Sequence, residues 1–187
     1  MSAPKILVIP GSHRASSINA QLGATIVRQL EKDGASATLV SLADYPMPIY
    51  DGDWEEENGA PEGAKKLAAL MSEHQGVVFV CPEYNASITP LLKNTLDWLS
   101  RDVGCKPYAG RAFALASCSP GALGGIRGLS HMRDVFINVG ADAIPAQLCV
   151  GPAGSAFDDD GNLTNERQIS LLQNMSAKLI ERAKQFS

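Results

Sequence analysis

Apolar residues gather along the chain in five short runs: ILVI at 6–9, ATLV at 37–40, VVFVC at 77–81, AFALA at 112–116 and AIPAQLCV at 143–150. The first, third and fourth lack the strict alternation of a half-solvated strand, which is the pattern of strands covered on both faces. The intervals between the runs are long enough for helical crossovers. Within those intervals Ile18, Leu22, Ile26 and Leu30 recur at helical spacing, as do Leu92, Leu96 and Leu99, and Ile169, Leu172, Leu179 and Phe186. Thr89 followed by Pro90 reads as an N-cap with proline at the first helical position, and either Thr164 or Asn165 can cap the last helix. Two further helices are expected over 61–74, where glycine and alanine dilute the pattern, and over 124–139, where Gly128 interrupts it. With right-handed crossovers this alternation predicts an α/β fold, a three-layer doubly wound five-stranded parallel sheet. At 187 residues the chain is expected to form a single domain over 1–187. Ligands of such sheets bind beyond the carboxyl ends of the strands, so the strand-to-helix turns mark the rim that matters.

Three of those turns are chemically unusual. The first, PGSHRASSINAQL at 10–22, places Gly11, Ser12, Arg14, Ser16, Ser17 and Asn19 between a buried strand and its helix. Hydroxyls, the Asn19 amide and the free N–H groups of a helix N-terminus all donate to phosphate oxygens, and Arg14 adds a fork of charged donors. The turn has neither GxGxxG nor GxxxxGK[ST], so a terminal phosphomonoester fits better than a dinucleotide bridge or a triphosphate. Helix capping alone would need one such residue. The second turn, PEYN, breaks its strand with Pro82 and Asn85, and Tyr84 offers a flat apolar surface against which a planar ring could lie. The third, SCSPGALGG at 117–125, carries Pro120 and three glycines that permit close approach of backbone to a ligand.

Composition narrows the reading further. A formal charge of −4 spread along the chain gives no electrostatic case for nucleic acid or for an anionic membrane surface. No apolar run approaches the roughly 18 residues of a membrane span, and MSAPK runs straight into the first strand without a signal-peptide pattern, so the expected location is the cytoplasm. Cys81, Cys105, Cys118 and Cys149 contain no CxxC pair and, with three histidines, make no zinc-like ligand set; they are expected as reduced thiols, Cys81 and Cys149 as buried hydrophobes. The acidic segment DGDWEEENG at 51–59 reads as a solvated loop or rim, and DDDGN at 158–162 lacks the spacing and final glutamate of a calcium loop. His13 lies inside the first turn, and His74 and His131 are paired with no nucleophile motif.

The stretches GSHRASSIN, PEYNASITPLLKNTLDW and SPGALGGIRGLSHMR together resemble the NADPH-dependent FMN reductase family, which includes quinone, chromate and azo reductases, and they fall in the family's order over roughly residues 4–150. The resemblance implies a flavodoxin-like fold, FMN as cofactor and NADPH or NADH as donor. It places the phosphate loop on Gly11, Ser12, Arg14, Ser17 and Asn19, the turn along the flavin ring on Pro82, Glu83, Tyr84 and Asn85, and the glycine turn on Ser117, Gly121, Gly124 and Gly125. It also implies a homodimer or homotetramer, with Glu83, Tyr84 and Arg101 near a neighbouring subunit. Ala86 stands where a bulkier residue often follows PEYN, and the 51–59 segment is individual to this chain. The function so implied is ping-pong transfer of two electrons from NAD(P)H to FMN and on to a small acceptor: a quinone, free flavin, azo compound or chromate. The alternatives are a flavodoxin-type electron carrier without small-molecule turnover, and a phosphate-binding enzyme without flavin.

Overall fold

The computed structural model describes residues 3–14 and 16–186. In chain order its elements are β1 (Lys5–Pro10), α1 (Ile18–Lys32), β2 (Ser36–Leu39), α2 (Gly52–Asn58), α3 (Glu62–Ser72), β3 (Gly76–Val80), the short strands β4 (Glu83–Tyr84) and β5 (Ser87–Ile88), α4 (Pro90–Leu99), β6 (Ala112–Cys118), α5 (Ile126–Asn138), β7 (Asp142–Val150) and α6 (Glu166–Ala183). The main sheet has five parallel strands in the order β2-β1-β3-β6-β7. This is the doubly wound, flavodoxin-like order. The chain leaves β1 in one direction and β3 in the other, which opens a crevice at the carboxyl ends of those two strands.

Residues that alternate along a strand face opposite sides of the sheet, so the unalternating runs feed two cores. Ile6, Val8, Val78 and Val80 pack with Leu22, Ile26 and Leu30 of α1 and Leu172, Met175 and Leu179 of α6. Leu7, Ile9, Val77 and Phe79 pack on the other face with Leu67 and Met71 of α3, Leu92, Leu96 and Trp98 of α4, and Leu129, Met132 and Phe136 of α5. Phe79, Phe113 and Phe136 meet there with ring centroids 5.2–6.4 Å apart. Each fully buried side chain of this kind contributes roughly 1.5–3 kcal/mol, which is why the inner strands need no polar face. No helix among the described residues is long and apolar enough to cross a membrane.

Local chemistry explains where the observed elements depart from the sequence expectation. The segment 51–59 is not a solvated loop: Asp51 caps α2 by accepting from the N–H groups of Asp53 and Trp54, and Gly59 ends it at φ +70°. The helix is held down by aromatic edges, with Tyr50 and Trp54 each T-shaped against Trp98, and by Arg101, whose Nε–H is shared between both Glu55 carboxylate oxygens at 2.9 Å and whose guanidinium lies over the Tyr50 ring. Gly128 does not interrupt α5; it lets β4 and β5 approach the helix, since a Cβ there would lie 3.3 Å from the Ser87 carbonyl oxygen. The cap of α6 is Asn165, whose Oδ1 accepts from Arg167 and Gln168 N–H. Pro145 is tolerated because β7 is an edge strand, and Arg133 covers the free carbonyls of Ile144 and Pro145.

Candidate functional site

The first turn is built around Ser17, the N-cap of α1, whose Oγ accepts from Ala20 N–H at 3.2 Å and whose carbonyl accepts from Gln21 N–H at 3.0 Å. The N–H groups of Ile18 and Asn19 have no acceptor within the helix. Ser12 Oγ accepts from Arg14 N–H at 3.3 Å, and Arg14 forms no ion pair with another described residue. Gly11 does not face the crevice: its N–H donates to the Val80 carbonyl at 2.9 Å, and a Cβ on it would lie 3.1 Å from Pro82 and 3.2 Å from Leu92. Its place is the close contact of the first turn with the second.

Asn19 has a structural role that its sequence position does not show. Only 3% exposed, it donates from Nδ2 to the Cys118 carbonyl and accepts at Oδ1 from Cys118 N–H, both at 2.9 Å. The amide read from sequence as a phosphate donor also clamps α1 to the end of β6, with the second Nδ2 hydrogen left over.

In the second turn Asn85 and Ala86 have φ of 50° and 65°, so β4 and β5 form a tight hairpin with a type I′ turn rather than an irregular break. Asn85 sits at its tip. Tyr84 is 51% exposed. Glu83 turns its carboxylate to α5, accepting from Arg127 Nη2 at 2.9 Å and from Gly128 N–H at 3.0 Å. Burial alone would raise its pKa, but those donors and the Arg127 charge outweigh it and hold the carboxyl below its ordinary value. His131 Nδ1 lies 2.9 Å from Ser87 Oγ on the same hairpin.

The third turn starts at Ser119, whose N–H donates to the Val150 carbonyl and whose own carbonyl accepts from Ala153 N–H. Gly124, at φ +60°, leaves no room for a side chain, since a Cβ would lie 2.8 Å from Val150 N. Gly121 and Gly124 shape this turn from behind and do not line the cavity. Ser117 is a further correction: it is fully buried within β6 beneath Gly125, and its hydroxyl has no hydrogen-bond partner.

The three turns enclose a cavity of about 440 Å³ over the β1/β3 crevice. The first turn contributes Ser12, Arg14, Ser16, Ser17, Ile18 and Asn19 to its lining, the second Pro82, Glu83 and Tyr84, and the third Cys118, Ser119 and Pro120, so hydroxyls and a guanidinium share the cavity with apolar and aromatic surface. Pro120 lines the cavity in the turn where sequence placed it, and Ser119 joins it there, its signal being its position directly after an unalternating strand. A cavity of similar volume, about 430 Å³, lies between Leu99, Tyr108 and Val139, at the amino ends of the strands and away from all three turns. Burial pushes the Cys118 thiol up to about 12, and burial followed by the Glu83 charge pushes the Cys149 thiol up to about 11. Cys81 is fully buried and raised further by desolvation.

Residues 4–154 match the NADPH-dependent FMN reductase family, across the whole of the β1-to-β7 frame and all three turns. The chain belongs to this family. As an FMN reductase family member it is an NAD(P)H-dependent oxidoreductase with FMN as cofactor. It is similar to the quinone reductase of Escherichia coli (strain K12), at 35% identity over 133 residues that cover 71% of this chain and 69% of that protein. It is also similar to the 2-hydroxy-1,4-benzoquinone reductase of Burkholderia sp, at 32% identity over 178 residues and 94% of each chain. Among solved structures, the flavoenzyme NAD(P)H:(acceptor) oxidoreductase FerB from Paracoccus denitrificans superposes with a TM-score of 0.82 over 98% of this FMN reductase and 99% of FerB; at 24% identity that likeness speaks to the fold.

Proposed function

We propose that this protein is a quinone-class reductase, a single domain that seats FMN in the cavity of the three turns and works by a ping-pong sequence in the cytoplasm. The observation that carries this reading is the polarity of that cavity. The first turn brings to it hydroxyls, a guanidinium with no ion pair among the described residues, and acceptor-free N–H groups at a helix N-terminus, while the second and third turns bring proline and tyrosine. The donor set fits FMN, because a phosphomonoester matches the first group in charge and hydrogen bonding, and an apolar tricyclic ring matches the second. Bound there, FMN supplies the redox chemistry, taking two electrons from NAD(P)H and passing them to the acceptor.

The chain's own residues then bind and orient. Arg14, Ser12, Ser16 and Ser17 hold the phosphate, with the dipole of α1 behind them. Tyr84 and Pro82 support the ring, and backbone N–H groups of the second and third turns stabilise negative charge that develops at its edge. No side chain acts as nucleophile, in keeping with the raised Cys118 and Cys149 thiols beside the cavity. Donor and acceptor use the same open face in turn, so neither product release nor acceptor entry requires a second site. Quinone substrates are supported by the two relatives whose names carry that activity. Homodimer or homotetramer assembly is part of the proposal, with exposed Tyr84 near the covered surface.

The test has two parts. Arg14→Ala is expected to raise the FMN dissociation constant about tenfold, the loss of one charge-assisted hydrogen bond in a partly solvated site. Initial rates with NADPH, NADH and a benzoquinone should give parallel double-reciprocal lines. Unchanged FMN affinity in the variant would overturn the seating of the phosphate, and intersecting lines would overturn the ping-pong order. Reduction of the flavin without turnover of any quinone would indicate an electron carrier instead.

A further inference from the structure

We propose that Glu83 is a positioning residue, which locks the second and third turns into one frame for the flavin ring and does not itself act on the ring. The inference rests on the FMN seating given above. Helix α5 opens at Gly125 in the left-handed region, with no side chain capping its first turn and no acidic residue of its own there. Those first-turn N–H groups need an acceptor, and the positive end of the helix favours an anion. Glu83 supplies both from across the crevice: Oε2 accepts from Gly128 N–H at 3.0 Å, and Oε1 accepts from Arg127 Nη2 at 2.9 Å. Its side chain is only 8% exposed, so the carboxylate is spent on α5.

Two features make the junction tight. A Cβ at position 128 would lie 3.5 Å from Glu83 Cβ and Cγ, so glycine lets the helix sit directly on β4. One turn further along α5, His131 holds Ser87 of β5. Because α5 follows directly on Gly124 and Gly125, whatever fixes α5 also fixes the third turn. The hairpin bearing Tyr84 and the turn bearing Ser119 and Pro120 are therefore coupled as one body chiefly through the Glu83 carboxylate, with the His131–Ser87 contact as a second, exposed tie. A frame that is already rigid loses less conformational freedom when a ligand binds, and so binds it more tightly.

The experiment uses the full chain loaded with FMN, comparing wild type with Glu83→Ala, Glu83→Gln, Arg127→Ala and Arg14→Ala. Amide hydrogen exchange over residues 82–90 reads the hairpin, and recovery of FMN fluorescence on dilution reads the dissociation constant. Glu83→Ala is expected to speed exchange and raise the dissociation constant, each about tenfold. Glu83→Gln keeps an acceptor for Gly128 N–H and should restore most of both, and Arg127→Ala should give a smaller effect in the same direction. These two variants carry the test if the alanine variant fails to fold. Unchanged exchange in Glu83→Ala, or in Arg127→Ala if the alanine variant at 83 fails to fold, overturns the inference, as does a Glu83→Gln variant that binds FMN as poorly as Glu83→Ala while its hairpin stays protected. Faster exchange with unaltered FMN affinity overturns it too: if Arg14→Ala still weakens binding the proposed seating stands, and if Arg14→Ala has no effect the seating falls with it.

Discussion

Replacing Asn19 by alanine is the sharpest probe of how the site is held. The side chain is 3% exposed and closes a two-bond ring with the backbone of Cys118, a residue 99 positions away. Truncation leaves the Cys118 N–H and carbonyl without their partners in a buried strand end. An unsatisfied buried backbone group costs about 1–3 kcal/mol, and the vacated volume is large enough for a water to recover part of that. The expected net loss is about 3 kcal/mol, a large fraction of the roughly 5–15 kcal/mol that stabilises a domain of this kind. Urea unfolding followed by tryptophan fluorescence should show a lower midpoint with an unchanged slope, because the same surface is exposed on unfolding. FMN affinity should fall with it, since the phosphate turn is no longer tied to β6. Asn19→Asp gives an independent check of sign. Protonated, it can accept from Cys118 N–H and donate its O–H to the carbonyl; ionised, it can only accept and sets a charge against the carbonyl, and burial raises its pKa, so its stability is best at acid pH and declines as pH rises through that raised value. A loss below about 1 kcal/mol in Asn19→Ala, or an Asp variant insensitive to pH, would refute the clamp.

Three further outcomes follow from the geometry. Arg101→Ala should detach α2 and flatten the acid limb of stability. Glu55 is held below its ordinary carboxylate pKa chiefly by its hydrogen bond from Arg101, so its contribution is present above about pH 4.5 and lost as pH falls through the lower folded value; thermal midpoints of both proteins from about pH 6 down to about pH 3 test this. Ser117→Ala removes a buried hydroxyl with no partner and should stabilise the protein by about 1 kcal/mol in chemical denaturation, while FMN binding stays as it was. Ala86→Gly relieves a left-handed alanine at φ 65° in the hairpin; the roughly 1 kcal/mol of strain removed is partly offset by the greater chain entropy of glycine, for a net gain of about 0.5 kcal/mol by calorimetry.

What could be read from the chain alone were features set by neighbours in sequence. The unalternating runs of β1, β3 and β6 mark strands buried on both faces, and the caps Thr89 and Ser17 act on N–H groups three residues away. The hydroxyls and arginine of the first turn point to the proposed anion site for the same reason, since a strand followed by a helix brings them to one rim. Asp51 and Gly59 likewise delimit α2 in sequence, but the density of charge between them hides a helix whose stability comes from Trp98 and Arg101 beyond it. The fates of Asn19, Glu83 and Ser117 belong to another class. All three sit in motifs where a ligand-facing role is the natural expectation; the fold also ties Asn19 to Cys118 and Glu83 to the open end of α5, and it buries Ser117 beneath Gly125. Those partners lie far away along the chain, and a polar side chain takes whichever unsatisfied group the packed fold brings within reach. Local spacing determined the elements and the rim on which they converge; only the tertiary structure decided which polar groups remain free there for a ligand, because that is settled by what the other turns have already claimed.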